Sequence, residues 1–338
     1  KMPSKGKTCQ VVHIRSGHSQ VTSLGRQRIA EIEKEAIKLK LIKVILSSIS
    51  QVVLINNPYT GLFILIGLFA VNWKVGISAM IASVMTWILA PYMNYTKEEI
   101  ESGLAGFNPV LTAIALTLFL DSNWSGILIT FVSTILTLPI GAAVREVLKP
   151  HKIAFLTSPF VIMTWITLLI PNQLKTLHTQ IDIIPEHIEK VSLNNDHIRV
   201  HFFQSVLDGF GQIFLMPSII GGLLILIGIF IGSKKAGIVS IIANIIGFLI
   251  IILLGGDYSS INEGIFGYNV VLSAIALGVT FETAIHSYLA MILGIVLTAF
   301  IHLGLSTLLA PLGLPPLTWP FIFATWIMLF AGIKNQSV

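Results

Sequence analysis

Long apolar runs separated by short polar breaks fill most of this chain. They lie at about 51–72, 75–93, 104–120, 124–147 and 155–173, and again at about 202–232, 236–255, 264–281, 285–310 and 317–333. A membrane-spanning helix needs roughly 20 apolar residues, and most of the runs supply them. The run at 104–120 is shorter and contains Pro109. Between the two sets, residues 174–201 are polar and read as a water-exposed connector. Ahead of the first set, residues 29–43 place apolar positions at helical spacing among alternating Glu and Lys. That pattern predicts an interfacial helix or, equally, a solvated helical tail.

The two sets align without gaps at a constant offset of 161 residues. Gln51 falls on Gln212, and Gly106-Phe107-Asn108 on Gly267-Tyr268-Asn269. The run LTAIAL (111–116) falls on LSAIAL (272–277). Pro150 falls on Pro311, Thr157-Ser158-Pro159-Phe160 on Thr318-Trp319-Pro320-Phe321, and Thr164-Trp165 on Thr325-Trp326. Chance apolar likeness would not hold one register through Gly, Asn, Pro and Thr, so the chain is an internal duplication. Five runs per copy is an odd number, so the second copy enters the membrane from the opposite side. The expected fold is therefore an all-α integral membrane protein of two inverted-topology repeats with five crossings each. The expected segments are a basic cytoplasmic N-terminal segment (1–43), repeat 1 (44–173), the connector (174–201), which is extracellular, and repeat 2 (202–334).

Composition agrees. Of 338 residues, 54% are hydrophobic and 11% charged, against about 25% charged in an ordinary soluble domain. With the N-terminus in the cytoplasm and ten crossings, all but four of the 21 Lys and Arg residues fall inside. The exceptions are Lys74, Lys175, Lys190 and Arg199. The positive-inside rule thus places both termini in the cytoplasm, and it accounts for the net charge of +5 without nucleic acid. The polar first forty residues show no cleavable leader pattern. One cysteine, Cys9, excludes an intramolecular disulfide and a Cys-based metal cluster. No Walker A, GxGxxG, GxSxG or HExxH pattern appears, so neither an enzyme nor a bound cofactor or metal is expected.

In hydrocarbon every backbone amide and carbonyl must find a partner. Gly-Phe-Asn-Pro and Thr-Ser-Pro-Phe break that rule locally, and at equivalent places in both copies. Such paired breaks point to a pathway at the repeat interface.

These motifs resemble the urea transporter family. ISQVVLINNPYTGLFILIGLF (49–69) is similar to its opening segment, and GLAGFNPVLTAIAL (103–116) and GIFGYNVVLSAIAL (264–277) to its two Gly-x-x-Gly-Phe-Asn segments. LPPLTWPF (314–321) fits the Leu-Pro-x-x-Thr-x-Pro-Phe signature, while the first copy has Ile153-Ala154 in place of Leu-Pro. The resemblance implies a channel-like urea path between the halves, a half-spanning helix in each half, and a homotrimer with one pore per protomer. The half-spanning helices are the segments ending near Asn57 and Ser218 or those starting at Phe107 and Tyr268.

By the same resemblance Gln51 and Gln212 are the polar mouths, flanked by Val52, Leu54, Ile213 and Leu215. Phe107 and Tyr268, with Leu111 and Leu272 one turn on, form an aromatic slot, and Thr157 and Thr318 are mid-pore threonines. Each has a plainer alternative: Gln bonding a helix backbone, aromatics packing in a core, Thr bonding back to its own helix. Tyr268 departs from the family's Phe, and its hydroxyl needs a partner, in the slot or away from it. Asn108 and Asn269 read as capping or cross-helix groups, and His302 as a satisfied buried histidine. The alternative function is an ion-coupled secondary transporter of a small polar solute, which would need an ionisable residue buried at mid-membrane.

Overall fold

Helices form along the apolar runs and stop at their polar and proline positions. The computed structural model describes residues 17–173, 178–179, 199–283 and 286–331. The expected connector lies outside the described residues except for 178–179 and 199–201. The α-helices are α1 (Gly17–Ser50), α2 (Pro58–Val71), α3 (Trp73–Leu89), α4 (Lys97–Glu101), α5 (Phe107–Phe119), α6 (Trp124–Leu148) and α7 (Ser158–Leu169). They continue as α8 (Phe202–Gly211), α9 (Ile219–Gly232), α10 (Lys234–Leu253), α11 (Tyr258–Asn262), α12 (Gly267–Ile275), α13 (Ser287–Leu309) and α14 (Trp319–Ala331). The described residues hold no strand beyond one isolated bridge from Leu120 to Thr179. The chain divides into two compact units between Ile42 and Lys43. The described part of the first is helical, with Ile29, Ile32, Ile37 and Leu39 exposed. Everything below concerns the second.

The second seven helices restate the first seven. Helices α2, α3, α4 and α7 begin 161 residues before α9, α10, α11 and α14. Irregular points coincide too. Leu54 and Leu215 have φ of 59° and 60°, and Leu156 and Leu317 have 51° and 48°. A left-handed leucine costs roughly 1–2 kcal/mol. Its surroundings must hold it there, and they do so twice in the same way.

Two expected spans are bent. The runs at 51–72 and 202–232 each pass through a 3-10 turn, Gln51–Val53 and Gln212–Phe214, and then through a left-handed leucine. The helices on either side diverge by 82° in the first copy and 74° in the second. New caps start the second arms. Asn57 accepts from the amides of Tyr59 and Thr60, and Ser218 from that of Gly221. Among the described residues, four helices can cross a membrane by length and composition, or up to six if each bent pair is one span. The other four apolar helices, Phe107–Phe119, Ser158–Leu169, Gly267–Thr280 and Trp319–Ala331, are shorter. They fall below the roughly 20 residues a full crossing needs, so length supports four to six of the ten crossings expected.

Counterparts pack on each other, α2 on α9 and α7 on α14. The Thr60 hydroxyl donates to the Gly228 carbonyl at 2.8 Å. A Cβ on Gly61 would fall on the Leu46 carbonyl, and one on Gly222 on the Leu207 carbonyl. The arms of each bent pair therefore meet backbone to backbone, which only glycine permits.

Candidate functional site

Thr157 and Thr318 occupy the N-cap positions immediately before α7 and α14. An N-cap threonine ordinarily accepts from an amide two or three residues on. Neither does so here. Their hydroxyls bond one another at 2.7 Å, with 1% and 2% of each residue exposed. Capping passes to the asparagines. Asn108 Oδ1 accepts from the Phe160 amide at 3.1 Å, and its Nδ2 donates to the Leu156 carbonyl at 3.0 Å. Asn269 makes the same bonds to Phe321 and Leu317, at 3.3 and 3.0 Å. Each asparagine thus ties α5 or α12 to the left-handed leucine that aims a threonine across the seam. Asn108 and Asn269 are capping and cross-helix groups, and the two threonines do not bond back to their own helices.

Two indoles brace the same level. Trp165 Nε1 donates to the Pro315 carbonyl at 2.8 Å, and Trp326 Nε1 to the Ala154 carbonyl at 2.9 Å. Each half therefore grips the segment that leads into the other half's threonine.

Gln51 and Gln212 are buried at the bends, and each Nε2 donates to a carbonyl, Ser102 or Glu263, at 3.0 Å. The amide nitrogens make the backbone bond expected as the plainer alternative. The side-chain oxygens keep their acceptor capacity. The aromatic positions diverge. The Phe107 ring stacks 5.8 Å from Phe155. The Tyr268 hydroxyl donates to the Leu317 carbonyl at 2.6 Å, so it serves the turn before Thr318. Val52, Leu111, Ile213 and Leu272 are fully buried, and Leu54 and Leu215 half-buried.

Gln51, Leu54 and Phe107 line a cleft of about 710 Å³, together with Ile153 and Phe155. Thr280 and Phe281, just beyond α12, also reach it. Helix α5 begins at this opening while the segment continuing α12 ends at it. Its rim is charged: Arg145 pairs with Glu99 at 2.8 Å, donates to the Asn94 carbonyl at 2.7 Å and lies over the Tyr95 ring. Burial pushes the Tyr95 phenol up to about 12, although Arg145 offsets part of the rise, and the protonated phenol donates to the Leu138 carbonyl. The equivalent positions in the second half, Gly256, Ser260 and Ser306, carry no charge.

Two buried polar residues keep an atom without a hydrogen-bond partner. His302 is buried but only half satisfied, since its Nδ1 lies 3.5 Å from Asn269 Nδ2 and its Nε2 has no partner. Asp208, one turn before Gln212, was not singled out by the sequence. It is 4% exposed with Oδ1 unpartnered, and its place next to the polar connector hid it. Among the described residues no group of three His, Cys, Asp or Glu could hold a metal.

Residues 42–333 match the family model described as Urea transporter. The chain is 27% identical over 309 residues to urea transporter 1 of Ovis aries, covering 89% of this chain and 79% of that protein. It is equally similar to urea transporter 1 of Capra hircus. Urea transporter 1 of Mus musculus is 26% identical over 316 residues, 91% of this chain and 81% of that protein.

Proposed function

Because this chain belongs to the urea transporter family, we propose that it passes urea across the membrane passively, through a channel along the seam of its two halves. It is a transporter and not an enzyme. The Thr157–Thr318 contact carries the passive, channel-like reading. Among the described residues it is a buried contact in which equivalent polar side chains of the two halves bond each other.

Urea is neutral and flat, with two NH2 groups and one carbonyl. Stripping it of water without replacement bonds costs several kcal/mol. The glutamine carbonyls at the bends offer acceptors. The apolar walls at Phe107, Leu111, Tyr268 and Leu272 offer a flat passage. The threonine pair closes the seam with a bond that urea can replace in kind: each hydroxyl lost to its partner is regained from the solute. Such an exchange is close to neutral in free energy, which suits a path that must release what it binds.

We assign to the same protein two inverted repeats, 44–173 and 202–334, each with five crossings and a half-spanning helix. Both termini and the 1–43 segment lie in the cytoplasm, and the connector 174–201 outside, in a lipid-embedded homotrimer of the cell membrane with one path per protomer. The inverted arrangement is supported by the cleft where α5 starts and the α12 segment ends, and by the distribution of Lys and Arg.

Urea uptake into proteoliposomes is expected to continue when sodium and proton gradients are collapsed. Uptake that stops with them overturns the passive reading and directs attention to Asp208. Thr318→Val is expected to slow urea flux by roughly two- to tenfold, the worth of one hydrogen bond, with the fold intact. Wild-type flux in that variant removes Thr318 from the path.

A further inference from the structure

Two buried hydroxyls, one on α7 and one on α14, are idle. Thr164 on α7 and Thr325 on α14 are equivalent residues, both at 0% exposure, and neither Oγ1 has a hydrogen-bond partner. A helical threonine has the carbonyl four residues back within reach. Thr86, Thr112, Thr137, Thr167 and Thr298 all take that bond. Thr164 and Thr325 do not. An unpaired buried hydroxyl is destabilising, so the same omission at the same place in both copies calls for a physical reason.

Their position supplies one. Thr164 follows Thr157 by seven residues, and Thr325 follows Thr318 by seven, which is two turns along the same helix face. The face that turns Thr157 into the seam continues past Thr164 to Leu168, which packs with Leu309 and Leu314 of the other half. The neighbouring indoles of Trp165 and Trp326 reach across that seam as well. Each free hydroxyl therefore stands roughly 10 Å from the central pair, at 1.5 Å per residue.

Their chemistry adds to what the glutamines and Tyr268 offer. Gln51 and Gln212 have committed their NH2 groups to backbone carbonyls and offer acceptors only. Tyr268 has committed its hydroxyl to Leu317. The carbonyl of urea needs a donor, and an unpaired hydroxyl is both donor and acceptor. We infer that Thr164 and Thr325 are solute-positioning residues, whose hydroxyls donate to the carbonyl of a small neutral amide on either side of the central threonine pair. This rests on the channel reading above.

The test compares urea and thiourea flux in proteoliposomes for wild type, Thr164→Val, Thr325→Val, Thr164→Ser and the off-path control Thr86→Val. Each valine variant is expected to lose roughly two- to tenfold in urea flux, the worth of one hydrogen bond. Thiourea, whose sulfur accepts weakly, loses less, so the urea-to-thiourea ratio falls. Melting temperature stays level or rises, Thr164→Ser restores the flux, and Thr86→Val matches wild type. Valine variants with wild-type urea flux overturn the inference alone. So does a loss of flux that accompanies a lower melting temperature at an unchanged ratio, which marks a structural hydroxyl. Gradient-dependent wild-type flux overturns the channel reading and takes this inference with it.

Discussion

Replacing Asn108 with alanine is expected to lower the stability of the protein by about 2–5 kcal/mol, since two buried backbone groups lose their partner, and to reduce urea flux further than loss of a threonine hydroxyl does. The two groups are the Phe160 amide and the Leu156 carbonyl. Their loss frees the left-handed turn at Leu156, whose φ is 51°. It also leaves the first turn of α7 uncapped, with Thr157 next to it in the ordinary capping position. The Thr157 hydroxyl can then turn to its own helix, which breaks its bond to Thr318. One substitution that touches no solute thereby removes the central contact. Asn108→Asp separates the parts: it keeps an acceptor for the Phe160 amide and loses the donor to Leu156, so both effects should be intermediate. Thermal unfolding in detergent and urea flux in proteoliposomes read the two effects. Unchanged unfolding and flux in Asn108→Ala would mean that the Leu156 turn holds itself, and that the asparagines do not position the threonines.

The helical, membrane-embedded character of the chain and its duplication were legible because they are written in residue types. Apolar runs and a fixed offset need no knowledge of contacts. A break near Asn57 and Ser218 was legible as one candidate, but the sharp bend there was not. Nothing in LINN or LMPS marks the leucine as left-handed, because leucine rarely adopts that backbone and no local signal announces it. The runs at 51–72 and 202–232 therefore read as spans, with a helix end near Asn57 and Ser218 as one of two candidate breaks. The asparagines could be read as bonding groups, but not for which helix, since their partners lie about fifty residues away. The Thr-x-Pro-Phe motif reads equally well as a helix cap with proline in the first turn. Only the hydroxyl contact across the halves shows that its threonine points elsewhere. Tyr268 shows the same limit: its need for a partner was readable, and its choice of the Leu317 carbonyl was not. Thr164 and Thr325 looked like ordinary helical threonines, and what distinguishes them is a bond they do not make.

The central claim is that solute crosses where Thr157 meets Thr318, and closing that point covalently tests it most directly. Sulfurs placed where those hydroxyls stand, 2.7 Å apart, are close to the approach a disulfide requires. The measurement is urea flux through Thr157→Cys/Thr318→Cys protein in proteoliposomes, in a Cys9→Ser background, with the crosslinked fraction quantified by mass. Oxidation should abolish flux in proportion to the crosslinked fraction, and reduction should restore it. Fully crosslinked protein that conducts urea as well as its reduced form would show that the solute takes another route.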